Sequence, residues 1–363
     1  MFKQHSTVRP AMAALAIGLA SASLVACGSS ATPSGSTSPA AKIKNVVLVT
    51  HDSWAMPKAV IADFEKKTGY HLVVRSSGDA GLLTNKLVLS AGHPDGDVSF
   101  GVDNTLGSRA LSNNVFAGYS PTNLPAGVAQ YDLPGDGGSH LTPIDHSAVC
   151  VDYDTTWFAA HHVAPPASLD DLIAPAYKGL FVTENAAASS PGTAFLLATI
   201  AVKGQSGWQD YWKALLANGA QVAADWTTAY DADFSQGGGK GTRPIVVSYN
   251  SDPAAAITHG QTSIGVAKST CFGQVEYAGV LAGANNSPGA RAFIDFLLTP
   301  EAQKELPGSM YVQPVVDGVS LPADWTKFAY LPTANQTLSL QQSDIAAHRD
   351  DWLQQWNDLV STN

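Results

Sequence analysis

The stretch KNVVLVTHDSWAMPKAVIADFEKKTGYHLVVR, residues 44–75, decides the fold class. Two runs rich in valine and leucine, 44–50 and 70–75, enclose a segment, 57–68, whose apolar residues recur at helical spacing. Gly69 follows that segment, and glycine is a typical residue at a helix end. Because a strand, a helix and a second strand follow one another, the pattern predicts two parallel strands in an α/β layer.

The same alternation continues along the chain, interrupted by a segment rich in proline and glycine at 118–139. In the last helix, Trp352, Trp356 and Leu359 share one face, and we interpret them as core anchors. The sequence therefore predicts an α/β protein with a largely parallel sheet. Further strands are predicted at 97–102, 141–153, 245–249 and 270–281, and further helices at 82–91, 104–111, 193–202, 208–218, 289–298 and 344–360.

The N-terminus has the pattern of an exported lipoprotein. A short basic start precedes a run of small apolar residues at 11–25, which is too short to span a bilayer comfortably. The sequence Leu-Val-Ala-Cys then ends at Cys27 and matches a bacterial lipobox. We expect a signal peptide at 1–26, and at 27–42 a lipidated cysteine with a flexible tether of Ser, Thr, Pro, Gly and Ala. The expected location is the outer face of the bacterial cytoplasmic membrane.

Composition narrows the possible partners. Hydrophobic residues make up 45% of the 363 residues and charged residues 14%, which is typical of a compact globular protein. The formal net charge is −10 and basic residues are not clustered, so we expect no nucleic-acid partner. Two cysteines, Cys150 and Cys271, follow the lipobox. An oxidising compartment favours their pairing, whereas two buried free thiols are the alternative.

Polar and aromatic residues collect just after the predicted strands, where ligands of α/β lobes bind. The loops that begin at Thr50, Ser76, Gly101 and Val247 all show this composition. Tryptophan and tyrosine rings beside carboxylates suit a flat cationic ligand. Helix capping is the simpler explanation for the following residues: Asp52, Ser53, Asp103, Ser189 and Ser190.

A series of short motifs then resembles the thiamine-binding receptors of bacterial ABC importers, which have the type II periplasmic-binding-protein fold. Their joint order over some 300 residues is specific, although each motif alone is weak. The motifs are HDSWA, GDAGLLTNKL, DVSFGVDNTLGSRAL, PIDHSAVCVDYD, YKGLFVTENAAASSPGTAFLLATI, GWQDYWKALLANG, DWTTAYDADF, IVVSYNSDPAA, CFGQVEYAGVL, IDFLLTPEAQ, PGSMYVQPVV and HRDDWLQQW.

The resemblance implies two lobes that close on a ligand about two hinge strands and then dock on an ABC permease. It places lobe 1 at 43–143 plus 275–363 and lobe 2, with hinge strands, at 144–274. The implied hinge strands are 146–153 and 272–279, so a disulfide between Cys150 and Cys271 would join the two crossovers. We expect a monomer without a cofactor or metal.

The resemblance also implies a set of ligand-binding residues, with thiamine or a thiamine phosphate as the ligand. His51 stands where better-known members have a tyrosine, and alanines at 254–256 stand where some members have an aromatic residue. The implied ligand residues are His51, Asp52, Ser53, Asp79, Ala80, Asp103, Ser189, Ser190, Trp226, Tyr230, Tyr249, Asn250, Ser251, Asp252 and Tyr311.

Other functions fit the sequence less well. A serine hydrolase would need a Gly-x-Ser-x-Gly elbow, which the chain lacks, and the adjacent histidines 161 and 162 do not have the spacing of a zinc helix. We therefore expect a binding protein and not an enzyme. A polyamine receptor of the same fold stays open, as does a ferric-iron receptor, although the paired tyrosines typical of the latter are missing.

Overall fold

The computed structural model describes residues 44–362. The signal peptide, the lipidated Cys27 and the tether all lie outside the described residues, so they stay expectations. Residues 43–363 make one compact unit. Within the described part, none of the helices has both the length and the apolar run needed to cross a membrane.

The opening stretch folds as the pattern predicts. Strand β1 (Asn45–Thr50) pairs in parallel with β2 (His71–Ser76), and helix α1 (Lys58–Thr68) joins them. Gly69 ends α1 at φ 70°, a left-handed conformation that glycine adopts without steric cost. Pro57 precedes α1 and no side chain caps the helix, so the expectation that Asp52 and Ser53 cap it is wrong.

The other elements follow the same alternation, and the predicted boundaries agree with them to within a few residues at most ends. Strand β10 is longer than expected. The strands are β3 (Val98–Asp103), β4 (Thr142–Asp154), β5 (Phe181–Glu184), β6 (Gln221–Ala223), β7 (Ile245–Tyr249), β8 (Ile257–Thr258), β9 (Gln261–Thr262), β10 (Ile264–Val280) and β11 (Gln313–Pro314). The helices are α2 (Ala80–Leu89), α3 (Gly107–Ser112), α4 (Thr155–His161), α5 (Leu169–Leu172), α6 (Ser190–Lys203), α7 (Trp208–Ala217), α8 (Asp252–Ala255), α9 (Ser287–Leu297), α10 (Pro300–Gln303), α11 (Leu306–Ser309), α12 (Ala323–Phe328) and α13 (Gln342–Ser361).

Two long antiparallel strands connect the two halves of the sheet. Its strand order is β2-β1-β3-β10-β4-β7-β5-β6, with β11 added beside β4. Strands β1 to β3 are parallel to one another, as are β5 to β7, whereas β10 and β4 run antiparallel to each other and to their neighbours. This is a two-lobed α/β architecture, and β4 and β10 contain the predicted hinge segments.

Separate hydrophobic cores fill the lobes. In lobe 1, Phe64 of α1 and Phe293 of α9 pack edge to face beneath β1. In lobe 2, Trp212 of α7 meets Trp356 of α13 in the same way, with ring centroids 5.5 Å apart. The expected role of Trp352 and Trp356 as core anchors is confirmed by their exposures of 3% and 1%.

The C-terminal helix belongs to the core of lobe 2. Ile345, Trp352 and Trp356 of α13 lie in the lobe 2 cluster, although we expected 275–363 to lie with lobe 1. The chain therefore passes between the lobes a third time, after β11, which pairs with β4. The sequence did not predict that the C-terminal helix packs in lobe 2. The amphipathic pattern of a helix predicts which face is buried, but it does not predict which core buries that face.

A disulfide joins Cys150 of β4 to Cys271 of β10. Both cysteines are buried, and β10 departs from regular pairing with β4 between Ala267 and Phe272, which includes Cys271. Pairing, favoured by the oxidising compartment, is thus confirmed over the alternative of two free thiols. The bond ties the two connecting strands together on the lobe 2 side.

Candidate functional site

A cavity of about 280 Å³ lies between the lobes, at the carboxyl ends of the parallel strands. This is the position expected for a ligand of an α/β lobe. Its lining combines aromatic rings, carboxylates and small residues. The lining residues are His51, Ser53, Asp79, Ala80, Ser190, Pro191, Trp226, Tyr230, Asp231, Tyr249, Asp252, Ala255, Glu276, Met310, Tyr311 and Val312.

Lobe 1 contributes a charged wall, formed by His51 after β1, Asp79 before α2 and Glu276 on β10. His51 is 8% exposed and its Nε2 lies 3.2 Å from Oε1 of Glu276. Burial alone would lower the pKa of His51, but the carboxylates of Glu276, Asp79 and Asp52 raise it above its usual value. The imidazole and Glu276 therefore favour a charged pair at the cavity wall.

Asp79 connects the two walls. Its Oδ2 accepts a hydrogen bond from the backbone N–H of Trp226 at 3.1 Å, and its Oδ1 accepts one from the N–H of Ser190 at 3.3 Å. Both donors belong to lobe 2. Burial raises the pKa of Asp79, whereas the hydrogen bonds from Trp226, Ala80 and Ser190 oppose that rise.

Lobe 2 contributes an aromatic wall. Trp226 follows β6 and stacks on Tyr230 with centroids 5.0 Å apart, and Tyr249 at the end of β7 meets Trp226 edge-on at 6.2 Å. The indole Nε1 donates to Oγ of Ser248 at 3.0 Å, which fixes the plane of the ring. Such a preformed ring cluster suits the flat face of a heterocycle.

Two carboxylates adjoin the aromatic wall. Asp231 lies one residue after Tyr230 and is exposed, whereas Asp252 at the start of α8 is buried beside Asp152 of β4. Burial raises the pKa of Asp252 to about 6. Burial also raises the pKa of Asp152 well above its usual value, and the charge of Asp252 adds to the effect. Because the two carboxyl groups are buried beside each other, this pair holds a proton more readily than isolated aspartates.

A similar pair lies on the lobe 1 side. Asp145 of β4 stands opposite Glu276 of β10 in the strand register. Asp145 is fully buried, and burial together with the charge of Glu276 raises its pKa well above the usual value. Two carboxylates that line the cavity therefore each have an aspartate of β4 behind them: Asp145 lies behind Glu276, and Asp152 lies behind Asp252.

Ten of the fifteen expected ligand residues line the cavity: His51, Ser53, Asp79, Ala80, Ser190, Trp226, Tyr230, Tyr249, Asp252 and Tyr311. Tyr311 lies at the mouth, 42% exposed and at φ 56°. Their binding role stays a prediction, but the structure brings them into one place.

The other five expected residues lie outside the lining. Asp52 is exposed beside the mouth. Asp103 is buried behind Ser190 and accepts hydrogen bonds from the Ser190 hydroxyl and from Nε2 of Gln274. Ser189 is buried at the start of α6, with no side-chain hydrogen bond to the helix end.

Two of those five support the cleft from behind. The side chain of Asn250 accepts from the N–H of Ala148 at 2.7 Å and donates to the carbonyl of Tyr330 at 2.7 Å. The hydroxyl of Ser251 donates to the carbonyl of Tyr311 at 2.6 Å and so holds the mouth tyrosine in its left-handed conformation.

Six lining residues were not expected: Pro191, Asp231, Ala255, Glu276, Met310 and Val312. Glu276 carried a usable signal, because it is the one acid in the apolar run at 270–281. Asp231 could have been predicted as a lining residue, because it directly follows Tyr230, which was expected at the ligand. Trp54, by contrast, packs against Phe100 and Phe293 in the core of lobe 1 and does not line the cavity.

The charge of the lining is one-sided. Four carboxylates line the cavity, from Asp79, Asp231, Asp252 and Glu276, whereas no described lining residue is a lysine or arginine. Within residues 44–362 no three His, Cys, Asp or Glu side chains are grouped so as to hold a metal ion. The cavity therefore suits an organic cation that offers an aromatic face.

Comparison with known proteins agrees with this architecture. The profile of the family "Bacterial extracellular solute-binding protein" matches residues 97–335. The thiamine-binding periplasmic protein of Salmonella typhimurium is 28% identical over 326 residues, which cover 87% of this chain and 93% of that protein. Its counterpart from Escherichia coli is 27% identical with the same coverage.

Solved structures share the fold. A periplasmic thiamin binding protein superposes with a TM-score of 0.75 at 26% identity, over 87% of this chain and 96% of the other. The iron-bound HitA of Pseudomonas aeruginosa superposes with a TM-score of 0.67 at 20% identity, over 87% and 99%, which shows the fold alone. The expectation of a binding protein and not an enzyme is confirmed. With a two-lobed fold, a ligand-sized cleft and a profile match over more than half of its length, the chain belongs to the bacterial extracellular solute-binding proteins.

Proposed function

We propose that this protein captures thiamine between its lobes and delivers it to an ABC permease. The observation that carries the proposal is the pairing of an aromatic wall with four lining carboxylates and no lining lysine or arginine. Thiamine is a cation with two flat rings, a thiazolium and an aminopyrimidine, which a methylene group joins. The rings of Trp226 and Tyr230 would stack on it, and the carboxylates would offset its charge.

The relatives support the same ligand. Several proteins that match most of the chain are named thiamine-binding periplasmic proteins. Lobe closure would proceed about β4 and β10, with the disulfide keeping the two strands together. Closure would bring Asp79 of lobe 1 onto Trp226 and Ser190 of lobe 2, as the hydrogen bonds between them indicate.

Titration calorimetry of residues 43–363 tests the proposal, since this part forms a compact unit. We expect saturable binding of thiamine with one site per chain. Spermidine and ferric citrate serve as comparison ligands, because both belong to receptors considered for the same fold. No heat with thiamine or its phosphates would refute the proposal, and tighter binding of spermidine would identify a polyamine receptor instead.

The location is part of the proposal. A lipid on Cys27 and the tether at 27–42 would hold the monomeric receptor at the outer face of the cytoplasmic membrane, beside its permease. Mass spectrometry of the membrane fraction should find an N-terminal diacylated Cys27. A Cys27→Ala variant should lose the lipid and leave the membrane, whereas retention in the membrane would contradict the anchor.

A further inference from the structure

A glycine-rich loop, residues 236–241 (QGGGKG), packs behind the aromatic wall. Tyr230 and Asp231 line the cavity, and both belong to a single π-helical turn, Thr228–Asp233, between β6 and β7. Turns of this kind are rare, and they occur frequently at functional sites. The contacts that hold the backbone of this turn therefore also hold two groups that face the ligand.

The loop meets the π turn backbone to backbone. The N–H of Gly239 donates to the carbonyl of Asp231 at 2.7 Å. A Cβ on Gly237 would lie 1.8 Å from the carbonyl oxygen of Tyr230, and a Cβ on Gly239 would lie 2.6 Å from that of Asp231. Because nonbonded atoms pack at about 3.5 Å, only glycine permits so close an approach at these two positions.

Gly238 differs from the glycines on either side of it. A Cβ on Gly238 would have no other residue's atom within 4 Å apart from its chain neighbours. None of the three glycines has a positive φ, so backbone conformation does not require glycine at any of them. The requirement at Gly237 and Gly239 is therefore one of space, and Gly238 provides a control in the same loop.

The loop is tied down at both ends. The N–H of Ser235 donates to the carbonyl of Arg243 at 2.9 Å, and the N–H of Arg243 donates to the carbonyl of Asp233 at 3.0 Å. The hydroxyl of Ser263 donates to Oε1 of Gln236 at 2.6 Å. A side chain added inside the loop would therefore press on the π turn, because the loop has little freedom to move away.

The two stacked rings of the aromatic wall are thus held by different contacts. The hydrogen bond to Ser248 orients Trp226, whereas the backbone that carries Tyr230 rests on Gly237. The ring centroids lie 5.0 Å apart. Relief of a 1.8 Å contact requires a movement of more than about 1 Å, which would change the stacking of the two rings.

We propose that Gly237 and Gly239 are positioning residues of the ligand site. Gly237 sets the place of Tyr230 and Gly239 sets that of Asp231, although neither glycine lines the cavity. The proposal rests on the proposed function, and it adds to the thiamine site a loop that acts only through the residues it supports.

The thiamine affinities of three alanine variants of residues 43–363, measured by calorimetry, test the proposal. We expect Gly237→Ala to weaken binding at least about tenfold, which corresponds to the loss of one ring contact. Gly239→Ala should weaken it by about threefold, because its clash is milder. Gly238→Ala is the matched control and should bind as the unmodified protein does. Unchanged affinity in all three variants, or an equal loss in all three, would overturn the proposal.

A double variant separates positioning from a general structural role. Tyr230→Ala removes the ring on which Gly237 is proposed to act. Adding Gly237→Ala in that background should therefore weaken thiamine binding by less than about twofold more, since coupled residues are not additive. A further tenfold loss would show that Gly237 acts by another route, which contradicts the proposal.

Near-ultraviolet circular dichroism of the unliganded protein gives a readout that does not depend on thiamine. Gly237→Ala should change the same aromatic bands as Tyr230→Ala, whereas Gly238→Ala should keep the unmodified spectrum. If the unmodified protein does not bind thiamine, the proposed function is refuted, and these spectra decide whether Gly237 positions the ring. If Gly237→Ala does not fold, Gly239→Ala decides, because an unchanged affinity in that variant would refute the positioning role.

Discussion

The two walls of the cleft differ in what they offer a ligand. The wall of lobe 1 is charged and consists of His51, Asp79 and Glu276, whereas the wall of lobe 2 is built on the stacked rings of Trp226 and Tyr230. The rings are held by contacts within lobe 2, so their arrangement does not depend on closure. Asp79, by contrast, is held by donors from the opposite lobe. The aromatic wall is therefore suited to first capture, and the charged wall to selection on closing.

Removing the central ring of the aromatic wall should have the largest effect. Trp226→Ala should weaken thiamine binding by about 2 kcal/mol, roughly thirtyfold, because ring burial and the cation–π contact are lost together. Calorimetry on folded variant protein measures this loss. Trp157→Ala is a suitable control, since Trp157 stacks on His161 away from the cavity and should leave affinity unchanged. Unchanged affinity in Trp226→Ala would exclude stacking.

Neutralising the charged wall should have the next largest effect. Glu276→Gln keeps the shape of the side chain but removes the charge that faces both the cavity and His51. We expect thiamine affinity to fall by about 1.4 kcal/mol, or tenfold. Glu301→Gln on the surface is the control and should bind as the unmodified protein does. If Glu276→Gln loses as much thiamine affinity as Trp226→Ala does, the two walls contribute equally to binding.

The pH dependence of thiamine affinity should show how the titratable groups of the two walls respond to the ligand. Asp79 and Asp252 have raised pKa values, the latter about 6 because of burial, and His51 is also raised. A bound cation favours ionised carboxylates and a neutral imidazole, so capture releases protons and affinity should rise with pH. Between pH 5.5 and 8 we expect a gain of about fivefold, within the tenfold per pH unit that one linked proton allows.

Calorimetry in buffers of different ionisation enthalpy measures the released protons directly. If thiamine affinity does not change over this pH range, binding is not linked to the protonation of any of these groups. The raised pKa of His51 also places its own transition above pH 6.5, where the free imidazole would titrate.

The smallest effect is expected at Asp52. Its side chain is exposed and lies outside the lining, although it is adjacent to His51 in the chain. Screening by solvent makes its charge weak at the ligand, so Asp52→Asn should change thiamine affinity by less than about 0.3 kcal/mol. A loss near that of Glu276→Gln would show that the charged wall extends to the mouth of the cleft.

The site residues that could be predicted from the sequence are those that lie at the end of a strand or in the loop after it. His51, Asp79 and Tyr249 all stand where a strand or its loop ends, and such positions meet at one edge of a sheet. Glu276 was missed because it lies in the interior of β10, where a residue is usually judged by its strand and not by its neighbours. Asn250 was expected at the ligand, yet its hydrogen bonds tie β4 to the segment at Tyr330.

Periodicity alone determined that this chain is an α/β protein, and the position of its polar loops after the strands predicted that acids and rings lie together in one cleft. Those signals are local, because strand and helix patterns depend on neighbours in the chain. Only the tertiary structure decided which core takes the C-terminal helix, that Asp79 crosses the cleft to the start of α6, and that Glu276 faces His51. These contacts join residues more than a hundred positions apart, and their energies depend on burial and distance, which a linear pattern does not contain.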